Sequence, residues 1–139
     1  MRIPCRIVAE ILEILKGAAQ PGITTNALNL MAEKETAKRG AKPAFKGYSG
    51  YPHALCCSPN EQVVHGMPTG RKLISGDILS IDFGVIYDGY YGDAAVTLPI
   101  GEISEKAQRL VRVTEESLAE AIAAARPGKI GRASCRERC

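Results

Sequence analysis

The sequence predicts an α+β fold, and two features of its apolar pattern point to it. Three segments carry apolar residues at helical spacing, over residues 2–19, 24–38 and 104–125. Between the second and the third, short β-branched runs are bounded by Gly, Pro and Asn, as strands often are. We therefore expect an antiparallel or mixed sheet with helices covering one of its faces.

Length and composition are those of one ordinary globular domain. The 139 residues are 45% apolar and 24% charged, which is enough for a real core. The chain lacks both a signal peptide and any run of about 18 apolar residues, so no membrane partner is expected. An odd number of cysteines, five, favours reduced thiols in the cytoplasm. The net charge of +3 comes mostly from residues 132–139, so no nucleic-acid partner is predicted.

Start and stop signals delimit the predicted elements. Gln20-Pro21-Gly22 ends the first helix, Thr24 or Thr25 caps the second, and Ser104 caps the third. Strands are expected near residues 54–58 and 62–65. In the third helix, four apolar residues are expected to face inward: Leu110, Val111, Leu118 and Ile122.

The strongest local signal is a hairpin within residues 76–98. Asp88-Gly89 lies between two β-branched runs and favours a two-residue primed turn, because both residues tolerate a positive φ. With that turn, Gly84 faces Asp93, and Asp82 lies diagonally across from Asp93. Since side chains alternate along a strand, these three residues share one face of the hairpin and the apolar residues share the other.

This pair of carboxylates has two interpretations. Two carboxylates around a glycine repel each other unless a proton or a divalent cation neutralises them, and that arrangement suits a metal site. Two aspartates on the solvent face of an amphipathic hairpin are also ordinary. The spacing of Asp82 and Asp93 does not decide between the two.

Two other features are candidate parts of a site. His65 ends an apolar run, where its imidazole could bond a substrate amide, bind metal or simply be exposed. The glycine-rich loop at residues 45–52 carries Tyr48 and Tyr51, which could wall an apolar pocket or pin the loop to the core. No local signature around Cys56 marks a thiol nucleophile.

Four motifs occur along the chain: Gly-Tyr-Ser-Gly-Tyr-Pro (47–52), Asn-Glu-Gln-Val-Val-His-Gly-Met-Pro (60–68), Gly-Asp-Ile-Leu-Ser-Ile-Asp (76–82) and Asp-Gly-Tyr-Tyr-Gly-Asp (88–93). Together they resemble the N-terminal half of a type I methionine aminopeptidase, a metallopeptidase with the pita-bread fold. They lie in that family's order and spacing, and several motifs in register are far more specific than any one alone. The resemblance runs from about residue 1 to residue 131.

The resemblance implies a role for each matching residue. Asp82 matches the bidentate ligand of one metal, and Asp93 matches the carboxylate that bridges two metals. His65 matches the histidine that contacts the scissile peptide, which is a catalytic and substrate-binding role. Four residues match the family positions that line the pocket for the methionine side chain: Phe45, Tyr48, Tyr51 and Cys56. Two divalent metal ions are implied as cofactors, and the sequence does not distinguish Co, Mn, Fe, Zn or Ni.

The implied activity is metal-dependent hydrolytic removal of the N-terminal methionine from nascent proteins. The implied partners are the N-terminal peptides of those proteins, with the ribosome as a candidate, and the intact family implies a cytoplasmic monomer. Two alternatives are an X-Pro-type peptidase and a non-catalytic peptide-binding module of the same fold.

The end of the chain departs from the family. Residues 132–139, Arg-Ala-Ser-Cys-Arg-Glu-Arg-Cys, resemble nothing in it, so we expect a tail of foreign origin after a half-domain at residues 1–131. The family's remaining ligands, one histidine and two glutamates, come from a C-terminal half. We therefore expect an incomplete ligand set and little or no peptidase activity from this chain by itself.

Overall fold

The computed structural model describes residues 1–128 and 131, and these residues form an α+β arrangement, as predicted. Its α-helices and strands are α1 (Arg2–Ala18), α2 (Thr25–Lys38), β1 (Lys42–Pro43), β2 (Leu55–Pro59), β3 (Ile78–Tyr87), β4 (Tyr90–Pro99) and α3 (Glu105–Ala124), with a short 3₁₀ helix at Tyr48–Gly50. The chain divides after Ile103 into two compact units, of which the second begins at Ser104 and contains α3. The expected foreign tail at residues 132–139 lies outside the described residues, and the domain boundary at 131 stays a prediction.

Helix boundaries follow the capping signals in the sequence. Thr24 caps α2, since its Oγ1 accepts a hydrogen bond from the Ala27 N–H at 3.1 Å. Gly40 follows α2 with a φ of +65°, a left-handed conformation that ends helices and that glycine adopts without strain. Ser104 caps α3 through the Ala107 N–H at 3.3 Å.

Strand β3 is the centre of the sheet. It pairs with β4 along its whole length, and β2 and β1 pair with successive stretches of its other edge, all antiparallel. Asp88 and Gly89 have φ values of +49° and +75°, which are those of a type I′ turn. The predicted register is confirmed, because Gly84 lies opposite Asp93 and Asp82 lies opposite Ala95.

The core lies between one face of this sheet and the two N-terminal helices. Helix α1 packs against β3 and β4, while α2 packs against α1, β1 and β2. The core-facing side chains include Ile11, Leu15, Leu28, Leu55 and Phe83, each 0% exposed. Burial of each such side chain stabilises the fold by about 1.5–3 kcal/mol. Because side chains alternate along each strand, the opposite face of the sheet is left for polar groups.

One predicted strand is wrong. Residues 62–65 form an irregular loop in which Val63 and Val64 are 84% and 64% exposed. His65 has a φ of +60°, which interrupts any extended run. Hydrogen bonds at its two ends link this loop to β2: the Gln62 N–H donates to the Pro59 carbonyl at 3.1 Å, and Gly66, the residue after the segment, bonds Cys57 and Ser58.

The prediction that α3 buries an apolar face is also wrong. None of its residues is buried, and Leu110, Leu118 and Ile122 are 58%, 60% and 65% exposed. Helical periodicity marks which residues share a face, but burial needs a partner surface that the pattern does not supply. Within the described residues, no helix is both long and apolar enough to cross a bilayer.

Candidate metal and peptide site

The polar face of the sheet gathers the acidic residues predicted from the hairpin. Asp82 of β3 lies opposite Cys56 of β2, and Asp93 of β4 lies opposite Gly84 of β3. Directly paired residues point to the same face of a sheet, so both carboxylates and the Cys56 thiol share the face away from the core. Strands β2, β3 and β4 thus bring Cys56, Asp82 and Asp93 together as one cluster.

Electrostatics within this cluster disfavour two free negative charges. Asp82 is partly buried and Asp93 is exposed. Burial raises the pKa of Asp82 above its usual value, and the negative charge of Asp93 and a hydrogen bond between the two carboxyls raise that pKa further. The charge of His65 acts in the opposite direction and lowers the pKa of Asp82. The pair therefore favours a shared proton or a cation between its oxygens.

A divalent metal fits the chemistry of this pair, though two carboxylates do not complete a site. A cation would offset both the burial and the repulsion from Asp93 that raise the pKa of Asp82. Among residues 1–128 and 131, no group of three or more His, Cys, Asp or Glu side chains is placed to hold a metal ion. Metal sites of this kind use four to six ligands, so Asp82 and Asp93 offer part of one.

Phe45 occupies the space beside Gly84, where a larger residue would place its side chain. A Cβ on Gly84 would lie 3.0 Å from Cε1 of Phe45 and 3.2 Å from the Cβ of Ala44. The Ala44 N–H donates to the Gly84 carbonyl at 2.9 Å, and Lys46 pairs with Glu33 of α2 at 2.9 Å. The predicted pocket residue Phe45 is therefore held against β3 at Gly84, which lies two residues from Asp82 and opposite Asp93.

Tyr51 and Cys56 form an apolar wall beside the carboxylates. The Tyr51 hydroxyl donates to the carbonyls of Leu55 at 3.1 Å and Gly66 at 3.3 Å. Burial raises the pKa of Tyr51 above its usual range, and burial also raises that of the Cys56 thiol, which faces Asp82 and Asp93. Both groups are thus neutral near pH 7. Tyr48, in contrast, is 77% exposed.

His65 lies on the exposed loop after β2, next to this wall. Its side chain is close enough to Asp82 that a positive imidazole lowers the pKa of that carboxyl. The following residue, Gly66, is bonded to the backbone of β2. The structure thus brings together Asp82, Asp93, Cys56, Tyr51 and Phe45, with His65 beside Asp82.

The model of metallopeptidase family M24 matches residues 1–136 of the chain. This chain belongs to metallopeptidase family M24. It is 51% identical over 136 residues to a methionine aminopeptidase of Aquifex aeolicus (strain VF5), and that alignment covers 93% of this chain and 53% of the relative. The M24 chain therefore spans about half the length of the curated relatives that it matches.

Solved structures agree with this family membership. The crystal structure of methionine aminopeptidase from Rickettsia prowazekii matches with a TM-score of 0.92 and 35% identity, covering 98% of the M24 chain and 56% of that structure. The prolidase from Pyrococcus furiosus matches with a TM-score of 0.84, but at 21% identity it shows the fold alone, over 97% of this chain and 39% of that one. The resemblance to methionine aminopeptidases and the expected pita-bread fold class are confirmed.

Sequence reasoning missed three residues of the M24 chain that support the site. Gly92 precedes Asp93, and a Cβ there would lie 2.4 Å from the carbonyl carbon of Pro4. Ser58 and Gly66 are joined by a hydrogen bond of 3.0 Å beside His65. Of the three, Gly92 gave a signal in the sequence, since an isolated Gly in a strand often marks close backbone approach.

Proposed function

We propose that this chain forms part of a methionine aminopeptidase, which removes the N-terminal methionine from nascent proteins in a metal-dependent hydrolysis. The observation that carries the proposal is the carboxylate pair on one sheet face beside an apolar wall. This carboxylate pair lies in a chain of family M24 that is 51% identical to a methionine aminopeptidase over 136 residues. The 21% identical prolidase gives the X-Pro alternative no comparable support.

Asp82 and Asp93 would hold divalent metal ions through their carboxylate oxygens. When bound, such ions lower the pKa of water and stabilise the negative charge that develops on a carbonyl oxygen under attack. This carboxylate pair is suited to the role because its two charges lie close together and that of Asp82 is partly buried.

The other residues of the cluster would bind and orient the peptide. A thioether side chain is flexible and polarisable, so it packs well against the ring of Phe45, the Tyr51 ring and the neutral Cys56 thiol. His65, on the exposed loop, could donate a hydrogen bond to the first peptide group. Tyr48, more exposed, would contribute only at the rim of this pocket.

We expect the chain by itself to bind metal weakly and to turn over little substrate, because the cluster offers two carboxylates of a larger ligand set. N-terminal peptides of nascent proteins are the proposed partners. Ribosome association and a cytoplasmic, monomeric state stay predictions.

Metal binding is the direct test of the proposal. Calorimetric titration with Mn²⁺ should give a chelator-sensitive affinity that falls about tenfold or more in Asp93→Asn, since a charged oxygen ligand is lost. Asp88→Asn is the matched control: it removes a carboxylate from the same hairpin at the exposed turn, and should bind like the unaltered chain. Equal Mn²⁺ affinity for Asp93→Asn and the unaltered chain would sink the metal assignment.

Peptide experiments separate the enzyme from a non-catalytic binding module. With Co²⁺ or Mn²⁺ added, the chain should cleave a Met-Ala-Ser peptide little or not at all. Robust cleavage would contradict the incomplete ligand set. Peptide binding that ignores both chelator and Asp93→Asn would favour the binding module.

A further inference from the structure

The backbone of His65 is held in an unusual conformation. Its φ of +60° lies in the left-handed region, which is unfavourable for residues other than glycine. The side chain is exposed, so packing of the imidazole does not explain the conformation. A strained exposed residue persists only where its neighbours over-determine it.

The backbone of His65 is constrained through the next residue, Gly66, which makes hydrogen bonds with three groups. Its N–H donates to the Ser58 Oγ at 3.0 Å, and its carbonyl accepts from the Cys57 N–H at 2.8 Å and the Tyr51 hydroxyl at 3.3 Å. We call these three contacts the Gly66 clamp. It fits closely, because a Cβ on Gly66 would lie 2.2 Å from the Cys57 carbonyl oxygen.

The Ser58 hydroxyl accepts the hydrogen bond from the Gly66 N–H, the end of Gly66 that joins His65. It is 3% exposed and lies opposite Ser80 on the face that carries Asp82. Its hydroxyl is therefore fixed by the sheet rather than by the loop. The Gly66 N–H belongs to the peptide group that follows His65, so its direction constrains the His65 backbone.

We infer that Ser58 is a positioning residue for His65: its hydroxyl accepts the Gly66 N–H and so keeps His65 in the left-handed conformation beside Asp82. The role of His65 toward peptide rests on the proposed function. The clamp itself does not, since it is formed by the chain alone.

Nuclear magnetic resonance of Ser58→Ala tests the inference without any metal. A positive φ gives a strong Overhauser effect between the amide and α protons of one residue, and this His65 signal should weaken. Exchange of the Gly66 amide proton should become roughly fivefold faster or more, as expected for loss of one hydrogen bond. Ser58→Thr keeps the hydroxyl and should restore both signals.

Ser80→Ala is the matched control. It removes a hydroxyl from the same sheet face, one that bonds Thr97 at 2.8 Å rather than Gly66. Both His65 and Gly66 signals should stay as in the unaltered chain. If Ser58→Ala leaves both signals unchanged, or if Ser80→Ala alters them equally, the inference is overturned.

A second variant keeps the inference testable if Ser58→Ala does not fold. Gly66→Ala opens the clamp from the other side, because its Cβ would meet the Cys57 carbonyl. It should weaken the His65 signal while the amide shifts of β3 and β4 stay in place. A retained His65 signal in a folded Gly66→Ala protein overturns the inference.

Added Mn²⁺ distinguishes failure of the inference from failure of the proposed function. In the unaltered chain, Mn²⁺ held by Asp82 and Asp93 should broaden the His65 ring signals, and Ser58→Ala should reduce that broadening by half or more. Absence of broadening in the unaltered chain counts against the metal site, while the metal-free signals still decide the clamp.

Discussion

At the scale of single residues, Asp77 is the carboxylate on which the start of β3 depends. Its side chain is 3% exposed and accepts two hydrogen bonds from Arg71, each of 2.9 Å. Asn60 donates at 2.8 Å and the Ile74 N–H at 3.0 Å. Hydrogen bonds from the Arg71 guanidinium, and to a smaller extent those from the two neutral donors, lower the pKa of Asp77 to about 2.

This network predicts a pH-dependent stability. The folded pKa of Asp77 is depressed from 3.8 to about 2, so its contribution is fully present above pH 3.8 and is lost as the pH falls through about 2. Asp77→Asn should lower the free energy of unfolding by about 2 kcal/mol at pH 7 and flatten its decline below pH 4. Urea unfolding at several pH values measures this, with Asp88→Asn at the exposed turn as the control. An unchanged pH profile in Asp77→Asn would contradict the assignment.

At the scale of elements, the docking of α1 on β4 fixes the strand that carries Asp93. The first turn of α1 lies so close to Gly92 that a Cβ there would be 2.4 Å from the Pro4 carbonyl carbon and 2.6 Å from the Cys5 nitrogen. These are backbone atoms, so no side-chain rotation can relieve the overlap. Either α1 or β4 would have to shift, and Asp93 would shift with β4.

Gly92→Ala should therefore act on both stability and metal binding. We expect a loss of about 1–3 kcal/mol in the free energy of unfolding, as for overpacked cores, and weaker Mn²⁺ binding. Gly70→Ala is the control, because its added Cβ would meet nothing within 4 Å. Thermal unfolding and Mn²⁺ titration of both variants check this. A Gly92→Ala protein as stable as Gly70→Ala would show that the contact is looser than the structure indicates.

At the scale of the whole molecule, the sheet unit has a continuous core and α3 exposes apolar residues. Leu55 is 0% exposed, whereas Leu118 is 60% exposed. Exposed apolar side chains in a stripe commonly reduce solubility, because they offer a surface for association. The two leucines should therefore respond very differently to substitution.

Leu118→Lys should change the free energy of unfolding by no more than about 0.5 kcal/mol and raise solubility. Leu55→Ala should lose about 2–5 kcal/mol, because it leaves a cavity between the sheet and α2. Chemical denaturation and the concentration at precipitation compare the two. A large destabilisation by Leu118→Lys would mean that this face of α3 is buried in solution.

Local signals determined much of the fold. Thr24 and Ser104 cap their helices because their hydroxyls satisfy free N–H groups within the same few residues. The Asp88-Gly89 turn set the hairpin register, and the period of two then placed Asp82 and Asp93 on one face. Each of these depends on neighbours in sequence, which is why the chain alone was enough to predict them.

Only the tertiary structure decided the rest. Phe45 fills the space over Gly84, Gly66 is clamped against β2, and the apolar stripe of α3 is exposed rather than packed. Those outcomes depend on which surfaces meet across long stretches of chain. The amino-acid sequence by itself determined the three helices, the hairpin with its register and the pair of aspartates. Packing between distant segments decided what lies beside that pair and which apolar faces are covered, because burial is a property of two surfaces and a periodic pattern describes only one.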